Sequence, residues 1–330
     1  MGADCDGNFL FIVRQLFIRP TLMTTASAPG KIILFGEHAV VYGRPALAVP
    51  VTQVHVEVNV SDSASPGIWI DASDVDLHAE LNTLPSDHPI ASVIHNFLFL
   101  SRVSTFPNLE IKITSTIPVA SGLGSGAAVT VALTRALASH LDRSMTDAEV
   151  NAFAYEIEKL HHGTPSGIDN TVVTYAKPVY FVKGEPIEVF KVGKPFTILI
   201  ADTGIAAPTK ESVGDVRRLW REDKSRWETI FDKIGEISFT ARRAIDAGKP
   251  EFLGGLMNEN HALLQTLTVS SPELDRLVES ARGAGALGAK LSGGGRGGNI
   301  IALVDSETAA PVSLALRETG ARNTITTQVS

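Results

Sequence analysis

Ile117-Pro118-Val119-Ala120-Ser121-Gly122-Leu123-Gly124-Ser125-Gly126-Ala127-Ala128 is a glycine-serine loop that runs straight into an apolar-striped segment. Glycines at 122, 124 and 126 let successive backbone N–H groups turn toward one point, and a helix that follows adds the positive end of its dipole there. Such a concavity is an anion seat, and phosphate is the guest it suits best. The helix is expected because Val129, Ala132, Leu133, Ala136, Leu137 and Leu141 recur at helical spacing, with Ser125 or Ser121 as its N-cap. Ahead of the loop, Leu109 to Thr114 alternates apolar and polar residues like a half-buried strand.

Strand, glycine loop and helix in this order also describe two common phosphate loops. A Walker loop ends its glycine run in Lys-Ser/Thr, and Gly126-Ala127-Ala128 supplies neither. A dinucleotide fingerprint needs a last glycine where this chain has Ala127, and an acidic residue after a second strand. Both fail. A tight turn that binds nothing is the bland alternative, and the loop by itself does not exclude it.

The chain has 330 residues, beyond the size at which a single core stops growing, so two domains are expected. It is 44% hydrophobic and 20% charged, with a net charge of −7, which argues against a nucleic-acid surface. A single cysteine, Cys5, excludes an internal disulfide framework and fits a reducing, cytoplasmic compartment. No apolar run approaches a membrane span. In residues 1–22, Phe9 to Val13 is apolar, but Asp4 and Asp6 precede it and Arg14 interrupts it, the wrong order for a signal peptide. We read this segment as a dispensable extension, or as a misplaced start with Met23 the true first residue.

After Met23, an apolar strand at Ile32 to Phe35 is bracketed by Lys31 and by Gly36-Glu37-His38, charges that cost desolvation energy unless they are paired or used. Val51, Val54, Val56, Val58 and Val60 mark a second strand, residues 61–86 a loop or short hairpin, and Pro89 to Leu100 a helix. Thr146-Asp147-Ala148-Glu149 is a capping box opening a helix whose core face is expected to carry Val150, Phe153, Ile157 and Leu160, with Glu158 on its flank. The helix ends at His161-His162-Gly163-Thr164-Pro165-Ser166-Gly167-Ile168-Asp169-Asn170. An aspartate held in so rigid a loop beside apolar residues is a candidate for acid–base work, and His162 for fixing the loop by hydrogen bonding. In the second half, the strand Phe196 to Ala201 leads to Asp202-Thr203-Gly204, and residues 209–247 form a charged helical tract. Lys290-Leu291-Ser292-Gly293-Gly294-Gly295-Arg296-Gly297-Gly298 then precedes a strand at Ile300 to Val304. Five glycines in one loop are costly in chain entropy, so something must approach that backbone closely.

Three of these stretches, Pro29 to Gly43, Pro118 to Ala128 and Lys290 to Gly298, resemble in order and spacing the three motifs of the GHMP kinase superfamily. Lys31 to Gly43 together with His162 to Asn170 is most similar to its mevalonate kinase family. The resemblance covers nearly all of the chain after Met23. It implies an α+β, two-domain fold, with an N-terminal domain like ribosomal protein S5 domain 2 over residues 23–190 and a ferredoxin-like C-terminal domain over 191–330. It implies ATP and Mg²⁺ as cofactors and the small molecule mevalonate as substrate, phosphorylated on its 5-hydroxyl, with neither nucleic acid nor membrane as partner and a homodimer as a candidate assembly.

Residue by residue, Asp169 matches the catalytic aspartate, Lys31 the lysine that pairs with it, and Glu158 a carboxylate that helps hold Mg²⁺. Pro118, Ser121, Gly122, Leu123, Gly124, Ser125, Gly126 and Ala127 match the nucleotide phosphate loop. Glu37 and His38 match substrate-side positions and Thr203 a pocket threonine. Gly293, Gly294, Gly295 and Arg296 match the third motif, which braces the site. One departure stands out: the family's loop ends Gly-Ser-Ser-Ala, and the second serine, a Mg²⁺ ligand, is here Gly126. Water replaces that hydroxyl, or Ser125 shifts inward to supply it. Arg296 stands where the motif often has glycine and is expected to reach a phosphate. The rival readings are a sister enzyme acting on a mevalonate-derived substrate, a non-catalytic binding member, and a nicotinamide-dependent oxidoreductase.

Overall fold

The structure is a computed structural model, and it describes residues 23–103, 105–118, 121–162, 165–207 and 209–330. The expectations for residues 1–22, and for the side chain of His162 in its bent loop, lie outside the described residues.

The chain opens with two long antiparallel strands, β1 (Thr24–Phe35) and β2 (Ala46–Asp62), paired from Thr24 opposite Val60 to Phe35 opposite Leu47. A hairpin follows, β3 (Ile68–Ala72) and β4 (Leu77–Glu80), where the sequence suggested a loop or short hairpin. Helix α1 (Pro89–Leu100) leads to β5 (Leu109–Ser115), which pairs antiparallel with β2 and parallel with β3. Then come α2 (Ser125–His140), α3 (Asp147–His162), α4 (Ile168–Tyr175), and the short strands β6 (Val179–Phe181) and β7 (Glu188–Val189). These strands form one sheet in the order β4-β3-β5-β2-β6-β7, with β1 along the other edge of β2.

A second sheet begins with β8 (Phe196–Asp202). The helical tract after it is two helices, α5 (Thr209–Glu222) and α6 (Lys224–Asp246), because the Asp223 side chain caps the second through the Arg226 N–H. Next are α7 (Leu253–Thr266), α8 (Pro272–Gly283), β9 (Gly288–Ser292), β10 (Asn299–Val304), α9 (Ala309–Glu318) and β11 (Asn323–Val329). The strand order β11-β8-β10-β9, all antiparallel, is the ferredoxin-like arrangement, with helices inserted after the first and third strands.

Alternation explains how the halves join. Ile198, Ile200, Ile301, Leu303 and Val329 pack into one continuous apolar cluster with Ile32, Val56, Val58 and the inner face of α2. The opposite face, Leu199, Ala201, Ile300, Ala302 and Val304, packs under α6, α8 and α9. The second sheet is therefore buried on both sides. Its edge strand β9 is covered by α7, where Asn258 Oδ1 and His261 Nδ1 accept the N–H groups of Ala289 and Leu291 at 3.1 and 3.3 Å. Leu160, expected in the core, is 63% exposed, because helical rotation carries it past the buried stripe of Val150, Phe153 and Ile157.

Candidate active site

β1 buries its apolar residues on both sides of Lys31, and the lysine itself is 3% exposed. A buried ammonium needs a partner, and Asp169 supplies it at 2.9 Å. Asp169 stands in the first turn of α4, which starts at Gly167 in the left-handed region (φ 91°) and is tied to α3 by Asn170 Nδ2 donating to Asn151 Oδ1 at 2.6 Å. From α3, Glu158 joins this pair. Burial first, and then the negative charge of Asp169, push its carboxyl up to about 8, and Lys31 opposes the shift. The result is one cation with two carboxylates, of which one favours its neutral form.

The glycine loop lies against the same lysine. The Lys31 N–H donates to Leu123 O at 2.9 Å, and a Cβ on Gly124 would stand 2.8 Å from Lys31 Cγ. Gly124 also holds φ 78°, so glycine is required there on both counts. The expected serine cap is not made. Gly124 is the N-cap of α2, no side chain caps that helix, and the buried Ser121 instead turns its Oγ to Pro118 O at 2.8 Å. The first N–H groups of α2 are thus left without a side-chain acceptor at a dipole-positive terminus, beside a part-exposed Ser125 and an exposed Gly126. A Cβ on Gly126 would meet nothing within 4 Å.

The third loop closes on the first motif from the other sheet. Ser292 Oγ donates to Ile33 O at 2.8 Å and accepts the Ile33 N–H at 3.2 Å. His38, itself at φ 62°, donates from Nε2 to Gly294 O at 3.1 Å, and burial lowers it to about 4. Glu37 is fully buried and forms an ion pair with Lys290 on β9. Asn299 Nδ2 donates to Ser121 O, which joins the second sheet to the glycine loop. Thr203 binds Gly298 O through both N–H and hydroxyl, each at 2.9 Å. Gly295 sits so close to the turn after α7 that a Cβ there would lie 1.9 Å from Val269 O.

Lys31, Asp169, Glu158 and the glycine loop therefore meet at one place, while Glu37, His38, Thr203 and Gly293 to Gly295 form the brace beside it. The Arg296 guanidinium pairs with Asp215 on α5 at 2.6 Å, and its backbone N–H donates to Val269 O at 2.8 Å. Lys290, Ser292 and Asn299 had no role from sequence. The available signal was a lysine and an asparagine within an otherwise apolar strand pair, residues that are buried only when partnered.

Residues 90–177 match the GHMP kinases N terminal domain, and residues 241–322 the GHMP kinases C terminal domain. The chain is 38% identical over 298 residues to the mevalonate kinase of Pyrococcus abyssi, covering 85% of this chain and 88% of that one. It is 36% identical over 318 residues to the mevalonate kinase of Thermococcus gammatolerans, covering 88% and 92%. Among solved structures, L. major mevalonate kinase in complex with R-mevalonate superposes with a TM-score of 0.82 at 28% identity, covering 95% of this chain and 98% of that one.

Proposed function

The chain belongs to the GHMP kinases, within the mevalonate kinase family, and from that premise we propose that it transfers the terminal phosphoryl group of ATP to the 5-hydroxyl of mevalonate, a step of isoprenoid biosynthesis. The observation that carries this reading to the residues is the Lys31–Asp169 ion pair set against Gly124 of the glycine loop. Phosphoryl transfer asks a protein chiefly to position the reactants and to neutralise charge. The uncapped N–H groups of α2 and the Lys31 ammonium would receive the phosphate oxygens, and Asp169, its side chain 34% exposed, would orient the alcohol and accept its proton.

Mg²⁺ fits the donor set. Burial first and the charge of Asp169 second raise the Glu158 carboxyl, and a divalent cation between them would favour its ionised form. Among the described residues no group of three or more His, Cys, Asp or Glu could hold a metal alone, which suits an ion that keeps waters and takes phosphate oxygens as ligands. Glu158 would hold it, with Ser125 as the nearest hydroxyl of the loop. Such an ion would neutralise charge on the transferring group.

We take residues 23–190 and 191–330 as the two units, supported by the first sheet ending at Val189 and the second beginning at Phe196. Among the described residues no helix is long and apolar enough to cross a membrane. Cytoplasmic action belongs to the same proposal, with the single cysteine as its support. Homodimer assembly belongs there too, and light scattering tests it.

The test is ADP release with MgATP against mevalonate, 5-phosphomevalonate, galactose and homoserine, followed by phosphorus NMR of the product. Turnover of mevalonate with phosphate on the 5-oxygen is expected. Turnover of another acceptor alone assigns a sister activity, and ATP binding without turnover assigns a binding protein.

A further inference from the structure

Lys290 is a lysine at 0% exposure, on a strand whose neighbours Ala289 and Leu291 are core residues. Its ammonium donates to Glu37 and to Leu291 O at 2.6 Å. Glu37 is 1% exposed, and its second oxygen has no partner among the described residues. Burial pushes the carboxyl of Glu37 up and the ammonium of Lys290 down, and each partner opposes the shift of the other. Charges this deep return less in attraction than they lose in desolvation, and a pair of apolar side chains would hold the two strands together at least as well. Stability therefore gives no reason for the pair.

Position gives one. Glu37 follows the exit of β1, the strand that carries Lys31, and it precedes His38 in its left-handed turn. Lys290 precedes Ser292 and the third loop. The bonds on either side, Ser292 to Ile33 and His38 to Gly294, join neutral groups and hold less strongly than a charge-assisted pair. The charged pair cannot be wetted without unpacking both sheets. The glycine loop has tethers of its own, from Lys31 N–H to Leu123 O and from Asn299 to Ser121 O.

We propose that Lys290 is a positioning residue for phosphoryl transfer: through its buried pair with Glu37 it locks the exit of β1, and with it Lys31, in register with the third loop. The proposal rests on the kinase reading above. It predicts damage to transfer and to acceptor use, with nucleotide binding spared.

The test uses the full chain as wild type, Lys290→Met, Lys290→Arg and the double variant Glu37→Gln/Lys290→Met. Sites are counted by titration with a fluorescent ATP analogue, melting temperature is recorded, and kcat and KM are measured per nucleotide site. Lys290→Met is expected to lose about 100-fold in kcat/KM for the acceptor, shared between kcat and KM, with nucleotide affinity within about threefold. Lys290→Arg, which keeps the charge, is expected to recover to within about tenfold of wild type. The double variant leaves no lone buried charge, so it is expected to melt near wild type and still show the loss, which also covers the case of Lys290→Met failing to fold.

Activity of the double variant within about threefold of wild type would reduce the pair to a structural element and overturn the proposal. Equal activity of Lys290→Met would do the same. Whichever alcohol of the panel the wild type phosphorylates serves as acceptor, so failure on mevalonate sinks that reading and leaves this test standing; turnover of none sinks both.

Discussion

Lys31 Nζ stands 2.9 Å from Asp169 Oδ1, and the pair joins β1 of the first sheet to the opening turn of α4. It is asymmetric. The lysine side chain is 4% exposed and the aspartate 34%, so the cation is enclosed while the carboxylate reaches solvent. Charge compensation is thus built into the interior, and the carboxylate stays open to solvent on one side.

For Asp169→Ala we expect kcat to fall by about a thousandfold, in the range that a positioned base contributes, with nucleotide binding largely intact. The substitution also strands a buried ammonium, so Asp169→Asn, which keeps an acceptor, should lose less melting temperature at a similar cost in rate. Single-turnover rates and nucleotide titration check both, and retention of most of the rate would remove Asp169 from the mechanism. Lys31→Met should act mainly on kcat; a pure KM effect would assign the lysine to binding alone.

Gly124→Ala should be damaging although it adds one methyl group. The new Cβ would lie 2.8 Å from Lys31 Cγ on a backbone at φ 78°. We expect a stability loss of about 1–2 kcal/mol from the strained conformation, together with a fall in kcat as the lysine is displaced. Chemical denaturation and steady-state kinetics on one preparation would show both. An unchanged kcat would mean that the lysine stem has room to move.

Gly126→Ser, two residues further on, should behave oppositely. A Cβ there meets nothing within 4 Å, and the position is helical, so a gain of a few tenths of a kcal/mol is expected. If the divalent ion is held as proposed, the added hydroxyl should tighten metal–nucleotide binding by roughly 0.5–1 kcal/mol, the net worth of one polar contact. Manganese titration followed by electron paramagnetic resonance reads this without turnover. Unchanged affinity would place the ion away from the start of α2.

The two buried histidines should each contribute a loss of stability as pH falls from 6.5 to 4. His38 and His261 are both lowered to about 4, chiefly by burial, and His261 Nδ1 accepts the Leu291 N–H, so it has no room for a second proton. As pH falls below 6.5, the unfolded chain takes up protons that the folded chain refuses. The contribution of the two histidines is therefore whole above 6.5 and is lost toward 4, each adding a slope of up to about 1.4 kcal/mol per pH unit, while Glu158, raised to about 8, opposes about one such slope until its ordinary carboxylate range is reached. His261→Asn should be less stable at pH 7 but show a shallower decline. An equal slope in the variant would mean that His261 is not the group refusing the proton.

Much of the site was legible because its residues lie within short stretches whose local rules suffice. The α2 register followed from Ala132, Leu133, Ala136 and Leu137, all buried, with Val129 and Leu141 part-buried at the ends of the stripe, and the capping box at Thr146 and Glu149 formed as expected. β9, α9 and β11 were not anticipated. Gly288-Ala289-Lys290-Leu291-Ser292 has no clean period, because a strand buried on both faces carries small and charged residues wherever its partners allow. Ser121 was expected as a cap and became a loop staple, since Pro118 O lies nearer to its hydroxyl than any helix N–H.

By itself the sequence determined which residues carry charge and which glycines can bend. Asp169 and the run from Gly122 to Gly126 stand out by type and setting, because backbone freedom is a local property, and Lys31 and Glu158 were singled out by the family resemblance. The tertiary structure alone decided the partners: Lys290 for Glu37, Asp215 for Arg296, Asn299 for the carbonyl of Ser121. Each of these pairs joins stretches far apart in the chain. A period of 2 or 3.6 residues tells a side chain which face to take, but the group it meets there is set only when the sheets close on one another and exclude the water that would otherwise have served.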